Sequence, residues 1–328
     1  MHRGQRRQFL IRSGALALLA GTRVEAQPRS YRIGYLAPGP DAGSAHLQKA
    51  LFGRMEELGY REGRNLLVER RFAEGRLERL PALAAELIAL KPDILFATGT
   101  QATLAASKAT STLPIVFVLV ADPVGSGIVK SLRRPDANAT GLSLQVVEIH
   151  GKRLQLLKEA FPSVSRVAVL HNPLNVAEAL LLSALKVAGA TLALNLRVVE
   201  VKSPEEFALA FKTLEIERPD ALYVIEGPLA PSYLERIVEF ANGRRLIAVY
   251  GSSGFVEAGG LMSYAINWTE HYRAAATHVD KILKGAKPAD LPVEQPTRFE
   301  LVLNLKTAKA LGVKFPPSIL LRADRVIE

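Results

Sequence analysis

Apolar and polar positions fall into alternating blocks along this chain, first of strand type and then of helix type. Tyr31–Leu36 predicts a strand, closed by a Pro/Gly turn and followed by a helical pattern through Leu58. Asn65–Phe72 predicts the next strand. Leu77–Leu90 predicts a helix, because Leu80, Leu83, Leu87 and Leu90 recur on one face. Asp93–Ala97 and Ile115–Ala121 are apolar runs of the kind expected of parallel strands covered on both faces. Strand–helix–strand order of this sort implies a parallel α/β sheet with right-handed crossovers.

The plan then starts again. RIGYL at 32 is echoed by RVAVL at 166, KPDILF at 91 by RPDALY at 218, and IVFVL at 115 by IAVYG at 247, at a spacing of about 130 residues. Three matched strands at one spacing predict two similar lobes. The length agrees, since 328 residues are more than one core usually fills.

In open α/β sheets, ligands bind beyond the C-terminal ends of the strands, so two facing lobes would share one cleft. The residues after the strands are Pro38-Gly39, Thr98-Gly99-Thr100-Gln101 and Asp122-Pro123 in the first half. In the second they are His171-Asn172-Pro173, Glu226-Gly227 and Tyr250-Gly251-Ser252-Ser253. The corner at Thr98–Gln101 leads from a strand into alanine-rich helix. It therefore aims backbone N–H groups and two hydroxyls at one point, a setting for a carboxylate or similar polar group. Glu226 suits a cation, or else pairs with an arginine such as Arg244. Tyr250, Phe255 and Tyr264 offer an apolar or stacking wall, or else belong to the core. A zwitterionic amino acid satisfies both halves, with its carboxylate at Thr98 and Thr100 and its ammonium at Glu226. The candidate ligand-binding set is Thr98, Gly99, Thr100, Gln101, Asp122, Asn172, Glu226, Tyr250, Ser252 and Tyr264.

Composition removes other chemistries. The chain has no cysteine, which excludes disulfides, thiol nucleophiles and Cys-ligated metals. His271 and His278 could share a helix face, but metal-binding helices pair histidines one turn apart. GSSGF at 251 departs from the nucleophile elbow, and VGSG at 124 is not followed by the lysine of a phosphate-binding loop. Glu56-Glu57 and Glu205-Glu206 fit solvated faces. No metal, cofactor or activated nucleophile is expected, which leaves a module whose ligand shifts an open–closed equilibrium. The net charge of +10 is concentrated partly in the first residues and otherwise spread, with no clustered stripe for nucleic acid.

Residues 1–26 read as an export signal. Arg6-Arg7-Gln8-Phe9-Leu10 resembles the twin-arginine motif, a short apolar stretch runs from Ala15 to Ala20, and Val24-Glu25-Ala26 forms a small-residue exit. That stretch falls far short of the ~20 residues that span a bilayer. Cleavage after Ala26 would leave a mature chain beginning at Gln27, free in a periplasm.

ELGYREGRNLLVERRFAEG, ADPVGSGIV, NATGLSLQ, FVEAGGLMSYAIN and QPTRFELVLNLKTAKALGVKFPPSILLRADRVIE carry a family resemblance. The chain resembles the periplasmic substrate-binding proteins of ABC transporters, in the group that includes tryptophan- and aromatic-amino-acid-type binding proteins. The resemblance implies a type I periplasmic-binding fold: two similar Rossmann-like lobes with parallel sheets, joined by three crossing segments. These are placed at Ala139–Leu144, Leu261–Asn267 and Arg298–Asn304. The lobes are then 27–144 plus 265–297, and 145–264 plus 298–328. The implied function is capture of a small organic solute, an amino acid or an aromatic or carboxylic acid, by lobe closure. The implied partners are membrane permease and ATPase subunits, with the binding protein itself a monomer. Where related sequences often have a glycine pair followed by proline, this chain has Thr98-Gly99-Thr100-Gln101. A ligand-binding subunit of a sensing system, or an enzyme acting on a small polar metabolite, is the alternative.

Overall fold

The computed structural model describes residues 30–144, 146–225, 227 and 229–328. The export-signal region and Glu226 lie outside the described residues. Two sheets form the frame. The first contains β1 (Tyr31–Ala37), β2 (Leu66–Phe72), β3 (Ile94–Thr98), β4 (Ile115–Val120) and β5 (Ala139–Ser143), all parallel, in the order β2-β1-β3-β4-β5. The second contains β6 (Arg166–His171), β7 (Asn195–Glu200), β8 (Ala221–Val224), β9 (Ile247–Tyr250), β10 (Met262–Ala265), β11 (Glu300–Asn304) and β12 (Arg325–Ile327). Its order is β12-β11-β10-β9-β8-β6-β7. The internal repeat covers the parallel part of each sheet. The second sheet extends further because β11 runs antiparallel to β10 and carries β12 at its outer edge.

The helices of the first sheet are α1 (Asp41–Glu57), α2 (Leu80–Ala89) and α3 (Gly99–Ala109). Those of the second are α4 (Val146–Ala160), α5 (Val176–Thr191), α6 (Phe207–Glu217), α7 (Leu234–Gly243) and α8 (Ser253–Glu257). The chain then returns to the first sheet as α9 (Trp268–Leu283). Strand alternation explains why the central strands are apolar throughout. Ile94 and Phe96 pack on one face with Leu51 and Met55 of α1 and Tyr272 and Val279 of α9. Leu95 and Ala97 pack on the other with Leu83 and Leu87 of α2 and Ala102 and Ala106 of α3. In the second sheet, Val167 and Val169 meet Leu157 of α4 and Leu185 of α5, while Ala168 and Leu170 meet Phe207 of α6 and Ile237 of α7. Each fully buried aliphatic side chain of this kind contributes about 1.5–3 kcal/mol.

The leucine-rich pattern over residues 77–90 is divided: Leu77–Arg79 forms a 3-10 turn, and α2 begins at Leu80 with a proline in its first turn. The chain passes between the sheets after β5, after β10 and before β11. The first and last of these passages lie side by side, since Ser143 N–H donates to Glu294 O at 2.9 Å and Glu294 N–H to Gly141 O at 2.9 Å. Gly141 is required there. Its φ is +153°, and a Cβ would lie 2.0 Å from the carbonyl oxygen of Phe117. Beside it, β4 bulges between Phe117 and Val120, with Leu119 in the left-handed region at φ 56°. The end of β10, from which the chain leaves for α9, is held by Arg153 of α4. Its Nε and Nη2 donate to Tyr264 O at 2.9 and 2.8 Å, and its Nη1 to the Tyr223 hydroxyl at 2.9 Å.

Candidate functional site

At the corner after β3, strand and helix meet with no residue between them. Thr98 stands at the N-cap of α3 in extended conformation but makes no side-chain cap. Gly99 follows at φ +76°, which glycine adopts without steric cost. Thr100 and Gln101 lie inside the first helical turn, so the predicted turn is shorter than its four residues. The Thr100 hydroxyl oxygen accepts from Ala121 N–H at 3.1 Å. With its oxygen so engaged, its own hydrogen is left to donate. The Thr98 hydroxyl adjoins the phenol of Tyr272, whose pKa burial pushes up to about 12. Tyr35 and Ser44 extend this group of hydroxyls, and burial holds the Tyr35 phenol well above its usual pKa.

The facing corner, after β6, is organised around a buried carboxylate. Glu178 sits in the first turn of α5 and is 2 % exposed. Its Oε2 accepts from Asn172 N–H at 2.6 Å and its Oε1 from Asn175 Nδ2 at 3.0 Å. His171 Nδ1 stands 3.5 Å from Oε2. Burial raises the Glu178 pKa, while these neighbours oppose the rise. Asn172 Oδ1 accepts from Leu174 N–H at 3.0 Å, closing the turn locally. Gly227 completes the enclosure, since a Cβ there would fall 1.8 Å from Glu178 Oε1. The cavity behind His171, Asn172 and Glu178 measures about 20 Å³, too small for an organic solute.

The two corners touch. Gln101 Nε2 donates to Asn175 Oδ1 at 3.4 Å. Further contacts join the lobes around the cleft. Ala121 and Leu144 pack against the core of the second lobe. Arg76 Nη2 meets Glu205 Oε1 at 3.0 Å. Gly75, at φ +78°, lies so close to Leu229 that a Cβ would be 2.7 Å from Leu229 Cδ2. Contacts of this kind exist only when the lobes are drawn together.

Other sequence candidates are placed differently. Asp122 is exposed and its carboxylate accepts from Gly125 N–H at 2.8 Å, closing its own turn. Tyr250 is fully buried and stacked on Phe255 at 4.7 Å, within the core on the α6 and α7 side. Tyr264 is half-buried and tilted against Phe299 at 5.8 Å. Ser252 precedes α8 without a side-chain cap. Arg244, the alternative partner for Glu226, pairs with Glu215. The acidic pairs are engaged at the surface: Glu57 with Arg54 and Arg273, Glu56 with Arg61, and Glu205 with Arg76. His271 and His278 are both buried on α9. Burial brings the His271 pKa down to about 4, although backbone bonds at Leu142 and Ser143 resist the fall, and His278 Nε2 bonds Pro292 O at 3.2 Å. Among the described residues, no group of three or more His, Asp or Glu could hold a metal, and no helix is long and apolar enough to cross a membrane.

Sequence reasoning missed Glu178, Asn175 and Arg153. Their only sequence signals were an acid in a helical first turn, an asparagine in a turn, and an arginine beside Lys152 on an amphipathic helix.

Residues 39–327 match the family described as ABC transporter substrate binding protein. The chain belongs to that family. As a member it is a solute-binding protein for small organic ligands, built as two lobes of the type I periplasmic-binding fold. It is similar to the Tyrosine-binding protein of Clostridioides difficile, 27% identical over 269 residues, covering 81% of this chain and 76% of that one. It is also similar to the ABC domain from Streptococcus pneumonia solved in complex with L-Trp, with a TM-score of 0.83 and 26% identity over 91% of this chain and 100% of the other. A ligand-free, open structure of a Clostridium difficile substrate binding protein with adhesive properties aligns at 25% identity over 90% and 99% of the two chains, but with a TM-score of 0.63. At nearly equal identity and coverage, this binding protein superposes better on the ligand-bound structure than on the open one.

Proposed function

We propose that this chain is an exported, monomeric binding protein that captures an amino acid or aromatic carboxylic acid and delivers it to the permease and ATPase subunits of an ABC importer. It binds without catalysing a reaction, consistent with relatives that are named as binding proteins. One observation carries the choice of solute: the uncapped corner of α3, with its N–H groups and the Thr98 and Thr100 hydroxyls, faces a second corner built around a carboxylate. The solute's carboxylate goes to the first corner, and an ammonium, if present, to Glu226. Gln101, Asn172 and Ser252 border the cleft. Tyrosine and tryptophan in the names of two relatives support an aromatic side chain. Closure turns on the three crossing segments, between lobes of residues 27–144 plus 265–297 and 145–264 plus 298–328. The twin-arginine-like residues Arg6-Arg7-Gln8-Phe9-Leu10 support export to the periplasm.

The chain has a single tryptophan, Trp268, half-buried at the start of α9 just after the passage from β10. Its emission is therefore an internal reporter of closure. Titration with L-tyrosine, L-phenylalanine, L-leucine and benzoate is expected to give a saturable change for at least one solute. That solute at a hundredfold excess over Kd should raise stability by about 2.7 kcal/mol. No response to any of the four, together with no small molecule co-purifying in mass spectrometry, overturns the proposal.

A further inference from the structure

The amide of Asn175 is held in one orientation. Glu178 is a buried carboxylate and, when ionised, can only accept hydrogen bonds. Asn175 must therefore turn its Nδ2 inward to Oε1, at 3.0 Å, which leaves Oδ1 facing outward. The other carboxylate oxygen is taken by Asn172 N–H, and Gly227 closes the space on the remaining side, so the carboxylate has one place to sit. Across the cleft, Gln101 stands in the first turn of α3 and offers Nε2 to that outward oxygen at 3.4 Å. We propose that Glu178 is a positioning residue for lobe closure: by fixing Asn175 with its carbonyl outward, it makes the second lobe an acceptor for Gln101 and sets the strength of a latch that exists only in the closed state. This deepens the solute-binding function and rests on closure being its mechanism. The latch begins at the corner that receives the solute's carboxylate, so filling that corner and forming the latch favour the same state.

Because the chain has no cysteine, closure can be read without any solute. Arg76 and Glu205 face each other across the lobes and are both exposed. An Arg76→Cys/Glu205→Cys chain, treated with a short bifunctional maleimide, cross-links at a rate set by visits to the closed state. Gln101→Ala in that background is expected to slow cross-linking about two- to tenfold, the worth of one hydrogen bond. Gln101→Glu is expected to slow it further, because two acceptor oxygens then oppose each other. Adding Glu178→Gln should remove the excess penalty of Gln101→Glu over Gln101→Ala, since Asn175 is then able to turn its amide hydrogens outward. A Gln101→Glu chain that closes as fast as the parent overturns the proposal, because Asn175 would then be turning freely with Glu178 in place. The two Gln101 variants decide the matter alone if Glu178→Gln does not fold. Titration of Trp268 emission with L-tyrosine is run separately. Absent solute binding alongside the expected cross-linking pattern counts against the solute assignment and not against the latch.

Discussion

The corners after β3 and after β6 face each other, yet they spend their polar groups in opposite ways. In the first lobe, no side chain caps α3, Thr100 accepts from Ala121 N–H, and Thr98 adjoins the buried phenol of Tyr272, so the first-turn N–H groups have no side-chain cap. In the second, a buried carboxylate gathers the N–H of Asn172 and the amide of Asn175 inward, leaving an acceptor at the rim. One strand-to-helix plan has thus been finished as a donor edge and as an acceptor edge. The two edges meet where Gln101 donates to Asn175. The two corners also differ in firmness: the second is held by bonds to a buried carboxylate, which the first lacks.

The sharpest way to break that comparison is to place the same methyl group in both corners. Gly227→Ala puts a Cβ 1.8 Å from Glu178 Oε1 and must expel a buried, hydrogen-bonded carboxylate. A loss of about 4 kcal/mol is expected in urea unfolding. At Gly99 the nearest atom is Pro38 Cγ at 3.9 Å, and only the φ of +76° resists. Gly99→Ala should cost about 1–2 kcal/mol. Equal losses would mean that the second corner is no more tightly built than the first.

Acid offers the next largest effect. Burial holds His271 near pKa 4 in the folded chain, against about 6.5 when unfolded. Above pH 6.5 both states are neutral and the group contributes no pH dependence. As the pH falls toward 4, the unfolded chain takes up the proton first, so folding loses about 3 kcal/mol to this residue. His278 on the same helix, and His150 in α4, are shifted in the same direction by burial. Urea midpoints measured by Trp268 emission should fall between neutral pH and pH 4, and His271→Gln should flatten part of that fall. A flat profile for the parent chain would show that α9 opens to water around His271.

The smallest effect tests the assignment of the unlike ends. A hydrogen bond to a charged group is worth about 1.5–3 kcal/mol, or about ten- to a hundredfold in affinity. Thr98→Val should weaken an amino acid and its des-amino analogue alike by that factor. Glu226→Gln should weaken the amino acid and spare the analogue. Calorimetric titration of both variants with both solutes checks this. Equal losses in Glu226→Gln would remove the ammonium from that position.

Much of the frame was legible because parallel central strands must be apolar on both faces, and Ile94–Thr98 and Ile115–Val120 carry that mark in the sequence. The corner at Thr98–Gln101 was legible for the same reason: an abrupt change from buried strand to small polar residues marks where a sheet hands over to a helix. The facing corner was not. Glu178 in NVAEALL looks like an acid placed to suit a helix N-terminus, and only tertiary packing shows that it is buried under Gly227. Tyr250 shows the converse. It follows the apolar run of β9 as a cleft residue should, but strand alternation turns its ring onto Phe255. Arg153 reads as a surface arginine on an amphipathic helix, whereas a backbone carbonyl and a phenol draw it into the interior.

The order of strands in the two sheets bears on how the lobes could ever come apart. β5 leads out of the first sheet, α9 returns to cover it against α1, and β11 and β12 then go back to the second. Neither lobe is a continuous stretch of chain. A break in the backbone at any one crossing leaves both lobes tethered by the other two, and no truncation from either terminus releases one lobe whole. Whatever the angle between them, the jaws remain topologically inseparable.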